Sequence, residues 1–160
     1  MRISADPSNK PADYEFSHQI RVRFAETDAM GIVHHSRYVP YLEEARVAYL
    51  RHIDHPYTSI RNDGIDMVVL EVFMQFRTPL KFDDLVDVHV SLHLVERATF
   101  QMAYLLTVDE RVVAVGATAH CCITIPEARP TRIPPGMHAL SCQRQRPQRS
   151  LSLTRTTTEE

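Results

Sequence analysis

Hydrophobic and polar positions alternate along most of this chain, and the alternation gives way to a longer period in one place. From His18 to Phe24, Ile20, Val22 and Phe24 fall on one face and Arg21 and Arg23 on the other, which predicts a strand with one buried face. Between Ser36 and Ile53 the period lengthens. Tyr38, Tyr41, Leu42, Ala45, Ala48 and Tyr49 recur at spacings of three and four, with Glu43, Glu44, Arg46 and Arg51 mostly off that stripe. The helix this predicts takes Ser36 as its cap and Pro40 in its first turn, where a missing N–H is harmless. Pro56 and Gly64 mark its end and a following turn, with a short helical or irregular piece between them.

The remainder reads as strands. In 67–77 every even position is apolar (Val68, Leu70, Val72, Met74 and Phe76), and Thr78-Pro79 breaks the run. In 85–95, Val86, Val88, Val90, Leu92 and Leu94 oppose Asp87, His89, Ser91 and His93. Phe100, Met102, Tyr104, Leu106 and Val108 form a third series. After a tight turn at Asp109-Glu110, Val113, Val115, Ala117, Ala119, Cys121, Ile123 and Ile125 share a face in 112–125. Short turns between long strands predict an antiparallel meander. The order strand, long helix, four strands predicts an α+β domain, a five-stranded antiparallel sheet wrapped around one long central helix. Ala45 and Ala48 would let that helix lie close to the sheet. Residues 1–15 carry Pro7 and Pro11 without a period and are expected to form a flexible arm. The folded domain is placed at 16–136, and residues 137–160, rich in Arg, Gln and Thr, are expected to be a disordered tail.

Composition narrows the classes. A chain of 160 residues suits one domain, and a formal charge of −2 leaves no electrostatic footprint for nucleic acid. No apolar run approaches the roughly 20 residues of a membrane span, and the N-terminal residues lack the apolar centre of a signal peptide. Cys121, Cys122 and Cys142 are odd in number, and adjacent strand positions point to opposite faces. They read as reduced thiols in a cytoplasmic protein.

Candidate chemistry concentrates between Phe24 and Arg51. Asp28 sits in the turn that ends the first strand, Gly31 follows three residues later, and the predicted helix start is about eight residues away. A helix start has N–H groups without intrahelical partners and a dipole that favours negative charge. A carboxylate beside such a site is the minimum equipment for acyl transfer. The plain alternative for Asp28 is a turn former whose side chain caps its own loop. His34 and His35 are adjacent, and at least one reads as structural. His89 with His93 and His52 with His55 lack a third ligand at convincing spacing, so no metal and no cofactor is expected.

The segment RVRFAETDAMGIVHHSRYVPYLEEAR, with FRTPLKFDDLVDV and RPTRIP further on, resembles the 4-hydroxybenzoyl-CoA thioesterase/YbgC-like family of hot-dog-fold acyl-CoA thioesterases. The resemblance spans roughly residues 17–134 and rests on Thr27-Asp28, Gly31-Ile32-Val33, His35, Tyr38 and the Glu43–Arg46 helix face. It implies an enzyme that hydrolyses an acyl-CoA thioester, with Asp28 as the catalytic carboxylate and the backbone N–H of His35 polarising the carbonyl. It places Gly31, Ile32, Val33 and Tyr38 beside the substrate. It also implies a homodimer joined sheet to sheet, often stacked into a homotetramer, with active sites at the subunit interface. Ser36-Arg37 departs from the family pattern, a small residue followed by Asn, and Arg37 bears on substrate preference more than on reaction class. Two other functions fit the residues: a thioesterase for acyl-carrier-protein substrates, with Arg21, Arg23 and Arg37 facing an acidic carrier, and a non-catalytic acyl-CoA-binding module.

Overall fold

The pairing register of a sheet decides which of its apolar residues meet the helix, because a shift of one residue reverses every side chain. The computed structural model describes residues 2–137. Strands β1 (Phe16–Arg21), β2 (Ile65–Phe76), β3 (Leu85–Val95), β4 (Thr99–Val108) and β5 (Arg111–Thr124) accompany a long helix, α1 (Tyr38–His52), and a short one, α2 (Tyr57–Asn62). Every pairing is antiparallel, in the order β1-β3-β4-β5-β2. Helix α1 packs on one face through Tyr41, Leu42, Ala45 and Tyr49, against Val86, Val88, Val90, Phe100, Met102 and Leu106. This is the α+β hot-dog arrangement.

Four expectations change. In β5 the even residues face the helix, because Phe100 pairs with His120, Met102 with Thr118 and Tyr104 with Gly116. Val115, Ala117 and Ala119 therefore lie on the outer face, although they are the more apolar series. In β2 a bulge between Val69 and Glu71 reverses the alternation: Val68 pairs with Cys121 on the outer face, whereas Val72, Met74 and Phe76 face inward. Phe24 is 74% exposed, because β1 ends at Arg21 and a 3-10 turn, Phe24–Glu26, follows. Arg46 is buried under the helix, where its Nη1 lies 2.8 Å from His120 Nδ1, and His120 Nε2 meets Thr118 Oγ1 at 2.7 Å. Burial and the neighbouring guanidinium push His120 down to about 3, so it sits there as a neutral acceptor.

The N-terminal segment also differs from expectation. Residues 2–15, read as a flexible arm, make specific contacts instead: the amides of Ser4 and Ala5 donate to Gln101 Oε1 at 2.8 and 2.9 Å. Met137 is fully buried in the core. The rest of the expected tail, 138–160, and Cys142 lie outside the described residues. Cys121 and Cys122 are free and buried, and burial pushes the Cys122 thiol up to about 12.

Gly116 lies against Leu42 of α1 and the β2 residues beside it. A Cβ there would lie 2.6 Å from Met74 Sδ, 3.1 Å from the Phe73 carbonyl and 3.4 Å from Leu42 Cδ1. Gly116→Val is therefore expected to cost about 1–3 kcal/mol by overpacking, read as a lower denaturation midpoint with unchanged denaturant slope.

Candidate active site

The loop after β1 is stitched to the sheet before it reaches the helix. Val22 N donates to the Asp84 carbonyl at 2.9 Å, and Val22 O accepts from Asp83 N at 3.1 Å. The 3-10 turn then buries Glu26. Its carboxylate accepts from Arg23 Nη2 at 2.6 Å, Arg23 Nε at 3.1 Å, Arg23 N at 2.9 Å and the Tyr41 hydroxyl at 2.6 Å. Burial alone would raise the Glu26 pKa, but the donors from Arg23 and Tyr41 outweigh it and hold the carboxyl below its ordinary range. Glu26 thus ties the loop to α1. Further on, Val33 N donates to the Leu80 carbonyl at 2.8 Å and His34 N to the Glu26 carbonyl at 2.9 Å.

Asp28 opens a four-residue turn inside this frame. Gly31 N donates to the Asp28 carbonyl and Asp28 N to the Ile32 carbonyl, both at 2.9 Å. Asp28 Oδ1 accepts from Met30 N at 2.8 Å, so the turn-forming role is real. It engages one carboxylate oxygen. Among the described residues Oδ2 has no hydrogen-bond donor. Gly31 has φ +72°, and a Cβ there would meet nothing within 4 Å, so glycine serves the left-handed turn and not the space around it.

The helix begins differently from the expected Ser36 cap. A 3-10 turn, His35–Arg37, leads into α1, and His34 caps it: Ser36 N lies 3.3 Å from His34 Nδ1, and Ser36 Oγ lies 2.8 Å from the same nitrogen. The His34 ring is thus structural. Among the described residues the His35 N–H, first in that turn, has no acceptor.

Asp28 and His35 line the same cleft, of about 310 Å³, together with Ile32, Val33 and Tyr38. Five of the six residues singled out from sequence are brought together there; Gly31 shapes the turn without lining it. A second wall segment, Phe76, Arg77, Thr78 and Pro79, completes the lining with Met30. The periodicity gave no sign of this wall, since Thr78-Pro79 reads simply as the end of a strand. It is held in place by Arg77 N and Thr78 N, which both donate to the Val113 carbonyl at 2.8 and 3.1 Å. The Phe76 ring meets the Tyr38 ring edge-on at 4.9 Å, and burial raises the Tyr38 hydroxyl pKa, so that hydroxyl stays neutral. A larger cleft of about 820 Å³, with Arg97 and Arg132 in its lining, lies beside Ile65 at the other end of β2 and lacks this combination of carboxylate and helix start.

The chain has clear relatives among known proteins. Residues 22–140 match the model of the Thioesterase-like superfamily. A putative esterase of Aquifex aeolicus is 41% identical over 108 residues, covering 68% of this chain and 84% of the relative. An acyl-CoA thioesterase YbgC of Haemophilus influenzae is 28% identical over 76% of this chain and 90% of its own length. Among solved structures, a hypothetical protein from Aquifex aeolicus superposes with TM-score 0.74 at 36% identity, covering 79% of this chain and 98% of that one. With a match over most of its length and a hot-dog fold to carry it, the chain belongs to the Thioesterase-like superfamily and is a thioester hydrolase.

Proposed function

We propose that this chain hydrolyses acyl-CoA thioesters in the cleft between Asp28 and the His35 amide. The observation that carries the reading is a convergence: a carboxylate with one undonated oxygen and a helix start with an unpaired N–H share one cleft, beside an apolar wall of Ile32, Val33, Tyr38 and Phe76. An oxygen nucleophile adds to the thioester carbonyl carbon, and the developing oxyanion accepts from the His35 N–H at the positive end of α1. The nucleophile is the Asp28 carboxylate, giving an anhydride that water then opens, or water deprotonated by Asp28. Collapse breaks the C–S bond and releases CoA thiolate. A thiol with a pKa of about 8.5 leaves without strong help from an acid, so the absence of a triad costs little. The balance is one thioester and one water in, one carboxylate and one CoA thiol out.

A thiol-release assay tests this directly, with short, medium, long and aromatic acyl groups presented on CoA and on acyl carrier protein. Turnover of at least one acyl-CoA is expected. Turnover confined to carrier-linked substrates moves the specificity to the carrier, and tight acyl-CoA binding with no thiol released on any substrate sinks the proposal in favour of a binding module.

The same reading places a second copy along β2. This edge strand exposes Val69, Leu70, Val72, Phe73 and Phe76 at 39–50%, a liability for a free edge. Antiparallel pairing of two β2 strands covers it and sets the Phe76 end of one protomer against the Ile65 end of its partner. The Asp28 cleft then adjoins the cleft lined by Arg97 and Arg132, two cations suited to CoA phosphates. Val72→Glu at the middle of the edge is expected to shift the sedimentation mass from dimer to monomer and to lower thiol release with it. A monomeric variant with full activity would separate the site from the interface.

A further inference from the structure

The sheet has a second apolar surface, on the side away from α1. Ala103 and Leu105 of β4 and Val115, Ala117 and Ala119 of β5 form its centre, and none is more than 4% exposed. Helix α1 lies on the other side and cannot cover it. The N-terminal segment crosses it: Ala5 is buried and Ile3 and Pro7 are half-buried, while Arg2, Ser4 and Asp6 between them are exposed.

Its attachment is specific. The fully buried Gln101 uses both ends of its carboxamide on this segment: Oε1 accepts from Ser4 N at 2.8 Å and Ala5 N at 2.9 Å, and Nε2 donates to the Arg2 carbonyl at 3.0 Å. Ile3 N donates to Glu71 Oε2 at 2.9 Å. Gln101, Ala119 and Glu71 form one cross-strand row through β4, β5 and β2. The backbone of residues 2–5 therefore runs across the strands, over the single methyl of Ala119. Farther along, the Tyr14 ring lies 6.1 Å from His89 and its hydroxyl donates to the Ser8 carbonyl at 2.8 Å. A buried carboxamide without partners is costly, and here the N-terminal backbone supplies partners for both of its ends.

We propose that residues 2–14 are an intramolecular strap that closes the outer sheet face and so excludes face-to-face stacking of two copies. With the strap removed, a second copy takes its place. The exposed face would be an apolar patch of small side chains, and rotation about a two-fold axis would set that patch against the same patch of a second copy. Two such faces pack at the ordinary spacing of about 10 Å between sheets. The strap thus closes this one face to assembly, independently of which reaction the cleft performs.

Hydrogen exchange and light scattering test this on the full chain and two variants. In the full chain the Ser4 and Ala5 amides are expected to be protected, and Gln101→Leu should speed their exchange about tenfold or more. Deletion of residues 2–14 should double the mass seen by light scattering, in a concentration-dependent manner. Where the deletion fails to fold, Gln101→Leu in the full chain carries the mass measurement, with a partial shift towards the doubled form. Exchange of Ser4 and Ala5 at free-peptide rates in the full chain would overturn the strap. Unchanged mass in a folded variant with a released strap would overturn its role in assembly.

Discussion

Asp28→Asn is expected to lower thiol release by about 10²–10⁴-fold, the range spanned by loss of a positioned acid–base group. Asparagine keeps an oxygen where Oδ1 accepts from Met30 N, so the turn from Asp28 to Gly31 survives and the thermal midpoint should barely move. What disappears is the charge. A carboxamide neither attacks a thioester nor takes a proton from water, the two roles proposed for Asp28. The two readouts separate the roles: activity lost at constant stability assigns Asp28 to the chemistry, whereas parallel loss of both would return it to turn formation alone.

Glu26→Ala should act on the same site from below. Glu26 joins the loop to α1 through the Tyr41 hydroxyl, and its loss leaves that buried hydroxyl without its acceptor. An unpaired buried donor costs about 1–3 kcal/mol, roughly 5 °C in Tm for a domain of this size. Arg23 is exposed and contributes little to this sum. The His34 N–H keeps its bond to the Glu26 carbonyl, but the side-chain tie to Tyr41 is lost, so the loop carrying Asp28 loosens against α1 and kcat should fall with stability. Tyr41→Phe added to Glu26→Ala should recover part of the stability, since it removes the orphaned hydroxyl; an additive double variant would contradict the pairing. The pH dependence has a definite sign. The folded pKa of Glu26 lies below the ordinary 4.5, so its stabilisation is complete above that value and drains away as pH falls through the folded value. Wild type should therefore lose more stability on acidification than Glu26→Ala.

Much of this was legible in the chain itself. The alternation in 85–95 and 99–108 placed β3 and β4 at their observed bounds, because each has one dominant apolar series and ends at clear turn residues. The loop chemistry was legible because Asp28, Gly31 and His35 sit close together in sequence. Facing was not. In β5 both series are apolar or small, and only pairing with Phe100, Met102 and Tyr104 decides that Thr118 and His120 face the helix. Arg46 looked like a solvated helix position; its acceptor, His120, lies 74 residues away. The Phe76–Pro79 segment entered only as part of the FRTPLKFDDLVDV match, with no place in the site, because the Val113 carbonyl that holds it lies on the neighbouring strand β5.

The bulge in β2 makes the apolar wall of the cleft a question of parity. Leu70 is the added residue between the Val69 and Glu71 pairs, and everything after it faces the side opposite to an unbroken count. Removing that one position, far along the strand from Asp28, would turn Phe76 away from the side it shares with Tyr38 and bring Gln75 there, while leaving the loop and the helix start untouched. Chain length, and not only side-chain identity, is therefore a variable through which such a cleft can trade an oily wall for a polar one.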